Sequence, residues 1–140
     1  MEKNELMIGD IVFHEKYGNA IIEAIDNDFG DNPSVKLISE NIKHKDGYKY
    51  GYCWCDLDEI FPIPLTPEII EKNGFVKQDD GWYKITLGEY DLVGVQNFEN
   101  VSWIFRAIVF PNLIDYLGIN YVHELQHALK LCKIDKKIVL

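Results

Sequence analysis

Basic side chains are scarce in this sequence. Its 140 residues hold 14 Lys and Arg against 23 Asp and Glu, a net charge of −9. That sign repels phosphate backbones and excludes general nucleic-acid binding. Lys133, Lys136 and Lys137 form the only dense basic cluster. The same acidity suits a basic partner, towards which an acidic protein can imitate nucleic acid. Cysteine is scarce too. Cys53, Cys55 and Cys132 make an odd count, and the charged opening MEKNELMIGD has no apolar leader core, so reduced thiols in a cytoplasm are expected. Long apolar runs are missing. The longest, SWIFRAIVFPNLI, is interrupted by Arg106 and Pro111, so no membrane-spanning segment is expected. There is no Gly-rich phosphate loop, no recognisable Ser/His/Asp arrangement, no standout carboxylate pair and no internal repeat.

What remains is material for a packed interior, with 47% hydrophobic and 13% aromatic residues. Residues 7–60 read as short strands separated by turns: MIGDIVFH, AIIEAID, SVKLIS and YKYGYCWCDL, with NDFGDNP as a loop. Next comes a short helix over residues 67–73, capped by Thr66, opened by Pro67 and stopped by Gly74. FVKQ and WYKITL flank the hairpin signal Asp79-Asp80-Gly81. EYDLVGVQ and VSWIFRAIVF continue the strands, and a last helix is expected over residues 112–132, broken at Gly118. The fold class is therefore α+β. Its N-terminal half is an SH3-like or strongly bent antiparallel sheet, followed by a short linking helix, a second β-meander and a C-terminal amphipathic helix. Residues 1–140 are expected to form a single compact domain, with sub-lobes at 1–62 and 63–140.

The stretch YVHELQHALKLC contains the one sharp motif. His123 and His127 stand at i and i+4 with Glu124 between them, as in zinc peptidases that use two His ligands and a Glu base. A third ligand is not evident. Only 13 residues follow His127, and Cys132 and Asp135 are the only donors among them. Cys132 lies about 140° round the helix from His127. Upstream, Glu89 and Asp91 are donors that nothing singles out. Val122, Leu125, Ala128, Leu129 and Cys132 form the stripe that a fold would bury. The two imidazoles lie roughly 160° from its centre, on the side shared with Gln126 and Lys130, and are expected to face solvent. A minimal zinc-dependent hydrolase, with Glu124 catalytic, is thus the alternative reading. No cofactor is expected otherwise.

Two further groups share one strand. Strand alternation puts Cys53 and Cys55 on one face with Gly51 and Leu57. With His44 nearby they could hold zinc, but C-x-C is not the knuckle spacing of structural zinc, so buried core thiols are expected. The other face carries Tyr48, Tyr50, Tyr52 and Trp54. Core packing is the first expectation for these aromatics. If a ligand site exists, this strip is the first candidate, able to stack bases, sugars or a proline-rich peptide, with Asp56, Asp58 and Glu59 at its end.

The run PIPLTPEIIEKNGF, then WYKITL, then YVHELQHALKLC resembles a family of small uncharacterised proteins of gut Bacteroidetes, their phages and conjugative elements. The resemblance covers the last two-thirds of the chain. IGDIV and DLDEIFPI extend it towards the N-terminus. It implies an intracellular bacterial or phage setting, where short proteins of this kind act by binding a host component. It carries over no functional residues. The expected function is a non-enzymatic cytoplasmic binding protein of a phage or mobile element, engaging a host protein or a small nucleotide-like ligand.

Overall fold

A computed structural model of the chain describes residues 5–26, 33–43, 50–86, 92–98, 102–109 and 112–140. Two compact units follow one another, Met1–Ile63 and Pro64–Leu140. The protein is α+β, with a five-stranded antiparallel sheet in each unit.

The first sheet is built from β1 (Ile11–His14), β2 (Gly18–Asp26), β3 (Ser34–Ser39), β4 (Gly51–Asp56) and β5 (Ile60–Phe61). Its order is β4-β3-β2-β1-β5. Gly18 opens β2 with φ +73, a left-handed conformation that glycine adopts without strain. Alternation is clear in β3, where Val35, Leu37 and Ser39 turn inward while Ser34, Lys36 and Ile38 stay half-exposed. Val12, Ile22, Val35, Leu37 and Ile60 fill the inner face, each at most 1% exposed. A register shift between Ile22 and Ala24 interrupts β2, the kind of bulge that bends a strand. A 3-10 turn, Leu57–Glu59, joins β4 to β5. β4 and β5 are the two edges, so of the two expected forms the sheet takes the open antiparallel one and not a closed barrel.

The second unit begins with α1 (Pro67–Lys72). The Thr66 hydroxyl accepts the Ile69 N–H at 3.3 Å, Pro67 sits in the first turn, and Gly74 leaves the helix at φ +91. The cap, the proline and the glycine thus act where the sequence places them. A meander follows: β6 (Val76–Lys77), β7 (Tyr83–Thr86), β8 (Leu92–Phe98), β9 (Ser102–Val109) and β10 (Asn112–Ile119), in the order β10-β9-β8-β7-β6. Tyr83, Val95 and Phe105 lie opposite one another across three strands and are buried. At the β6–β7 turn, Asp80 accepts the Trp82 N–H and pairs with Lys84, and these contacts lower its pKa.

One element differs from expectation. Residues 112–119 are a strand and not the first part of a helix; α2 is only Val122–Leu131. NLIDYLGI pairs along β9, from Asn112↔Val109 to Ile119↔Trp103, with one register shift between Ile114 and Leu117. That ladder satisfies backbone groups a helix would have bonded internally, and Gly118 is a poor helix former in any case. Beyond α2, Lys133 takes φ 57, Ile134 N–H bonds Leu129 O at 2.9 Å and Lys133 N–H bonds Lys130 O at 2.9 Å, which closes the helix. The final residues then return to α1. The buried Asn73 side chain accepts the Val139 N–H and donates to Val139 O, both at 2.8 Å.

Candidate functional site

Gly51 sets the geometry of β4. A Cβ at that position would lie 2.1 Å from the backbone oxygen of Ile42, so only glycine fits on the inward side there. Because side chains alternate with period two, this fixes the parity of the strand. Gly51 and Cys55 are buried and Cys53 is half-buried, while Tyr52, Trp54 and Asp56 face outward. Tyr50, Tyr52 and Trp54 are 52%, 53% and 50% exposed. The expected core packing of these three aromatics is therefore not what the fold does, because the inner face is already filled by aliphatic side chains. Tyr48 lies outside the described residues.

The outward face is broader than one strand. Ile11, Ile21, Ile38 and Tyr52 are direct cross-strand neighbours, and of these Ile11 is buried and Ile21 and Ile38 are half-buried. Trp54 lies opposite Lys36. Phe13 and Phe61, also opposite each other, are 40% and 41% exposed on the same face. The Lys36 ammonium stands 4.4 Å from the centre of the Tyr52 ring and 3.0 Å from a Glu23 carboxylate oxygen. Asp56, Asp58 and Glu59 are exposed where the strip ends. Chemically, this is a row of aromatic surfaces with a cation over one ring and carboxylates at one end. It is suited to stacking planar or cationic groups.

The thiols behind the strip are held towards their protonated form. Burial pushes the Cys55 pKa up to about 12, and the negative potential of Cys53, Glu59 and Asp56 adds to the effect. Burial also raises that of Cys53. A cluster that the sequence did not flag surrounds them. His14 of β1, Cys55 of β4 and Glu59 of the 3-10 turn bring their ligand atoms within 4.8 Å of one another. Its groups already have structural roles. His14 Nδ1 accepts the Lys16 N–H at 3.1 Å, which leaves the ring proton of neutral imidazole on Nε2. Glu59 Oε2 accepts the Asp56 N–H at 2.8 Å and so caps the 3-10 turn. A metal would compete with the Lys16 N–H for the imidazole and would have to take the proton from the Cys55 thiol, whose pKa burial raises. His14 and Cys55 of the cluster are buried, and Glu59 is exposed. The partner that the sequence suggested for the thiols, His44, lies outside the described residues.

On α2 the buried stripe is Val122, Leu125, Ala128, Leu129 and Cys132, all at most 4% exposed. The imidazoles do not both face solvent, however. His123 is 4% exposed and stacks on Tyr121 with ring centroids 5.8 Å apart, whereas His127 is half-buried. The helical wheel turns His123 outward, but in the first helical turn it lies directly after the Pro64–Tyr121 bridge and is buried. The two rings contact edge-on at 5.6 Å. Glu124 caps the helix instead of facing a metal. Its Oε1 accepts the Asn120 N–H at 3.0 Å and the Tyr121 N–H at 3.1 Å. Among the described residues, no third His, Cys, Asp or Glu joins His123 and His127 in a ligand cluster. Glu89 and Asp91 lie outside them.

No known protein family, curated protein or solved structure matches the chain. Among the described residues, no helix is long and apolar enough to cross a membrane.

Proposed function

We propose that this chain is a non-enzymatic binding protein, working in a bacterial cytoplasm as the product of a phage or mobile element, that engages a host protein through the outer face of its first sheet. The observation that supports this reading is the row formed by Tyr52 and Trp54 of β4 and Tyr50 just before it, each about half exposed. Fully burying one large apolar side chain is worth roughly 1.5–3 kcal/mol. Leaving three such rings partly in water sacrifices stability, and Tyr and Trp are the residues that concentrate binding energy at interfaces. Scattered exposed aromatics would need no explanation; an aligned row does.

A small nucleotide-like ligand is the second reading, favoured by the stacking surface and Lys36. It comes second because the carboxylates of Asp56, Asp58 and Glu59 would repel a phosphate. The zinc-hydrolase reading stands lower again, because Glu124 is engaged in capping.

The test is capture from a lysate of a gut Bacteroidetes host with the immobilised chain. Wild type retains a defined partner that the Tyr50→Ala/Trp54→Ala variant loses; undiminished capture removes the strip as the site. Elemental analysis with a His123→Ala control addresses the alternative: about one zinc per chain, lost in the variant, would restore the hydrolase reading.

A further inference from the structure

We infer that the segment taken by the strip is cationic: an extended, arginine-bearing stretch of a partner protein. Its guanidinium groups lie on Tyr52 and Trp54 and pair with Asp56 and Asp58. This rests on the reading of the strip as a binding face and names the chemistry of its occupant.

Charge complementarity points to such an occupant. Residues 1–63 hold 13 acidic and 6 basic side chains, a net of −7, whereas residues 64–140 hold 10 and 8, a net of −2. The aromatic face thus sits on the strongly acidic unit, and the exposed groups at the end of the strip are carboxylates. A phosphate-bearing ligand would be repelled there. Lys36 covers part of the Tyr52 ring, 4.4 Å from its centre, with its charge paired to Glu23, which leaves Trp54 as the more open ring for a guanidinium. The spacing fits an extended peptide. Tyr52, Trp54 and Asp56 recur every second residue of a strand, about 6.6 Å apart, which is the repeat of side chains on one face of a partner in the same conformation. Arginine matches better than lysine, because a planar guanidinium stacks on a ring while its edge bonds a carboxylate in bidentate fashion. A second copy of this chain is a poor occupant. It would bring another −7 unit, and Arg106 is its only arginine.

The experiment is fluorescence anisotropy of the full chain with labelled ten-residue peptides alternating Arg–Val, Lys–Val or Glu–Val, with ATP as a competitor. The Arg–Val peptide is expected to bind at least about tenfold tighter than Glu–Val and tighter than Lys–Val. Trp54→Ala and the double variant Asp56→Asn/Asp58→Asn should each weaken it at least about fivefold, and ATP should not displace it. Equal binding of the Glu–Val peptide, an unchanged affinity in both variants, or displacement by ATP would overturn the inference. The two levels separate cleanly. If lysate capture still depends on Tyr50 and Trp54 while no Arg–Val preference appears, the strip remains the site and its cationic occupant is wrong. If neither depends on them, both readings fall.

Discussion

Gly51 shows how one residue decides which side of a strand meets water. With the Ile42 carbonyl 2.1 Å from any Cβ, Gly51→Ala forces backbone apart at the start of β4. The expected loss is at least ~3 kcal/mol, read by denaturant unfolding, with Gly118→Ala as a nearly neutral control because no atom lies within 4 Å there. Comparable losses in the two variants would contradict the parity argument. Cys55 gives a pH signature. Its folded pKa is raised from 9.0 to about 12, so the native state keeps a proton that the unfolded chain releases first. The stability this thiol contributes is full below about pH 9 and is lost as pH rises towards 12. The melting temperature of wild type should therefore fall more between about pH 8 and about pH 10.5 than that of Cys55→Ala. Parallel falls would show that the thiol is not held neutral by the fold. The small-residue face Gly51, Cys53, Cys55 is legible in the sequence. That it leaves the aromatics outside is not, since this depends on Ile42 approaching from another segment.

At the scale of elements, local signals are reliable where they are self-contained. Thr66, Pro67 and Gly74 bound α1 because each acts on its own neighbours. The segment 112–119 reads locally as helix, yet its structure comes from pairing with β9, a long-range contact without local signature. Glu124 reads in the sequence as a general base, yet its position three residues after Tyr121 is equally that of a capping carboxylate. Glu124→Ala should cost about 1 kcal/mol in thermal denaturation, and Glu124→Gln should retain most of the stability because its amide oxygen still accepts. Equal losses would contradict capping. Asn73 ties the last residues to α1 through three side-chain bonds, to Ile69 O and to both polar groups of Val139. Asn73→Ala leaves those groups unsatisfied, and we expect a loss of about 2–3 kcal/mol together with faster carboxypeptidase trimming beyond Lys133. Unchanged trimming would show that the tail is held without Asn73, by Ile138 packing and the Lys72 Nζ bond to Leu140 O.

At the scale of the molecule, composition constrains the class of partner more than any motif does. The net charge of −9 argues against nucleic acid, and most of that charge belongs to the first 63 residues, the unit that carries the aromatic face. The sharpest sequence motif, His123 to His127, is a helix start whose carboxylate closes backbone bonds. The functional candidate lies in a strand that composition alone would have buried. The most direct measurement is amide hydrogen exchange on the chain alone and with a protein that it captures from lysate. Residues 50–56 are expected to exchange markedly more slowly in the complex while residues 122–131 are unchanged. Protection centred on 122–131, with 50–56 exchanging as in the free chain, would contradict a binding face on the first sheet.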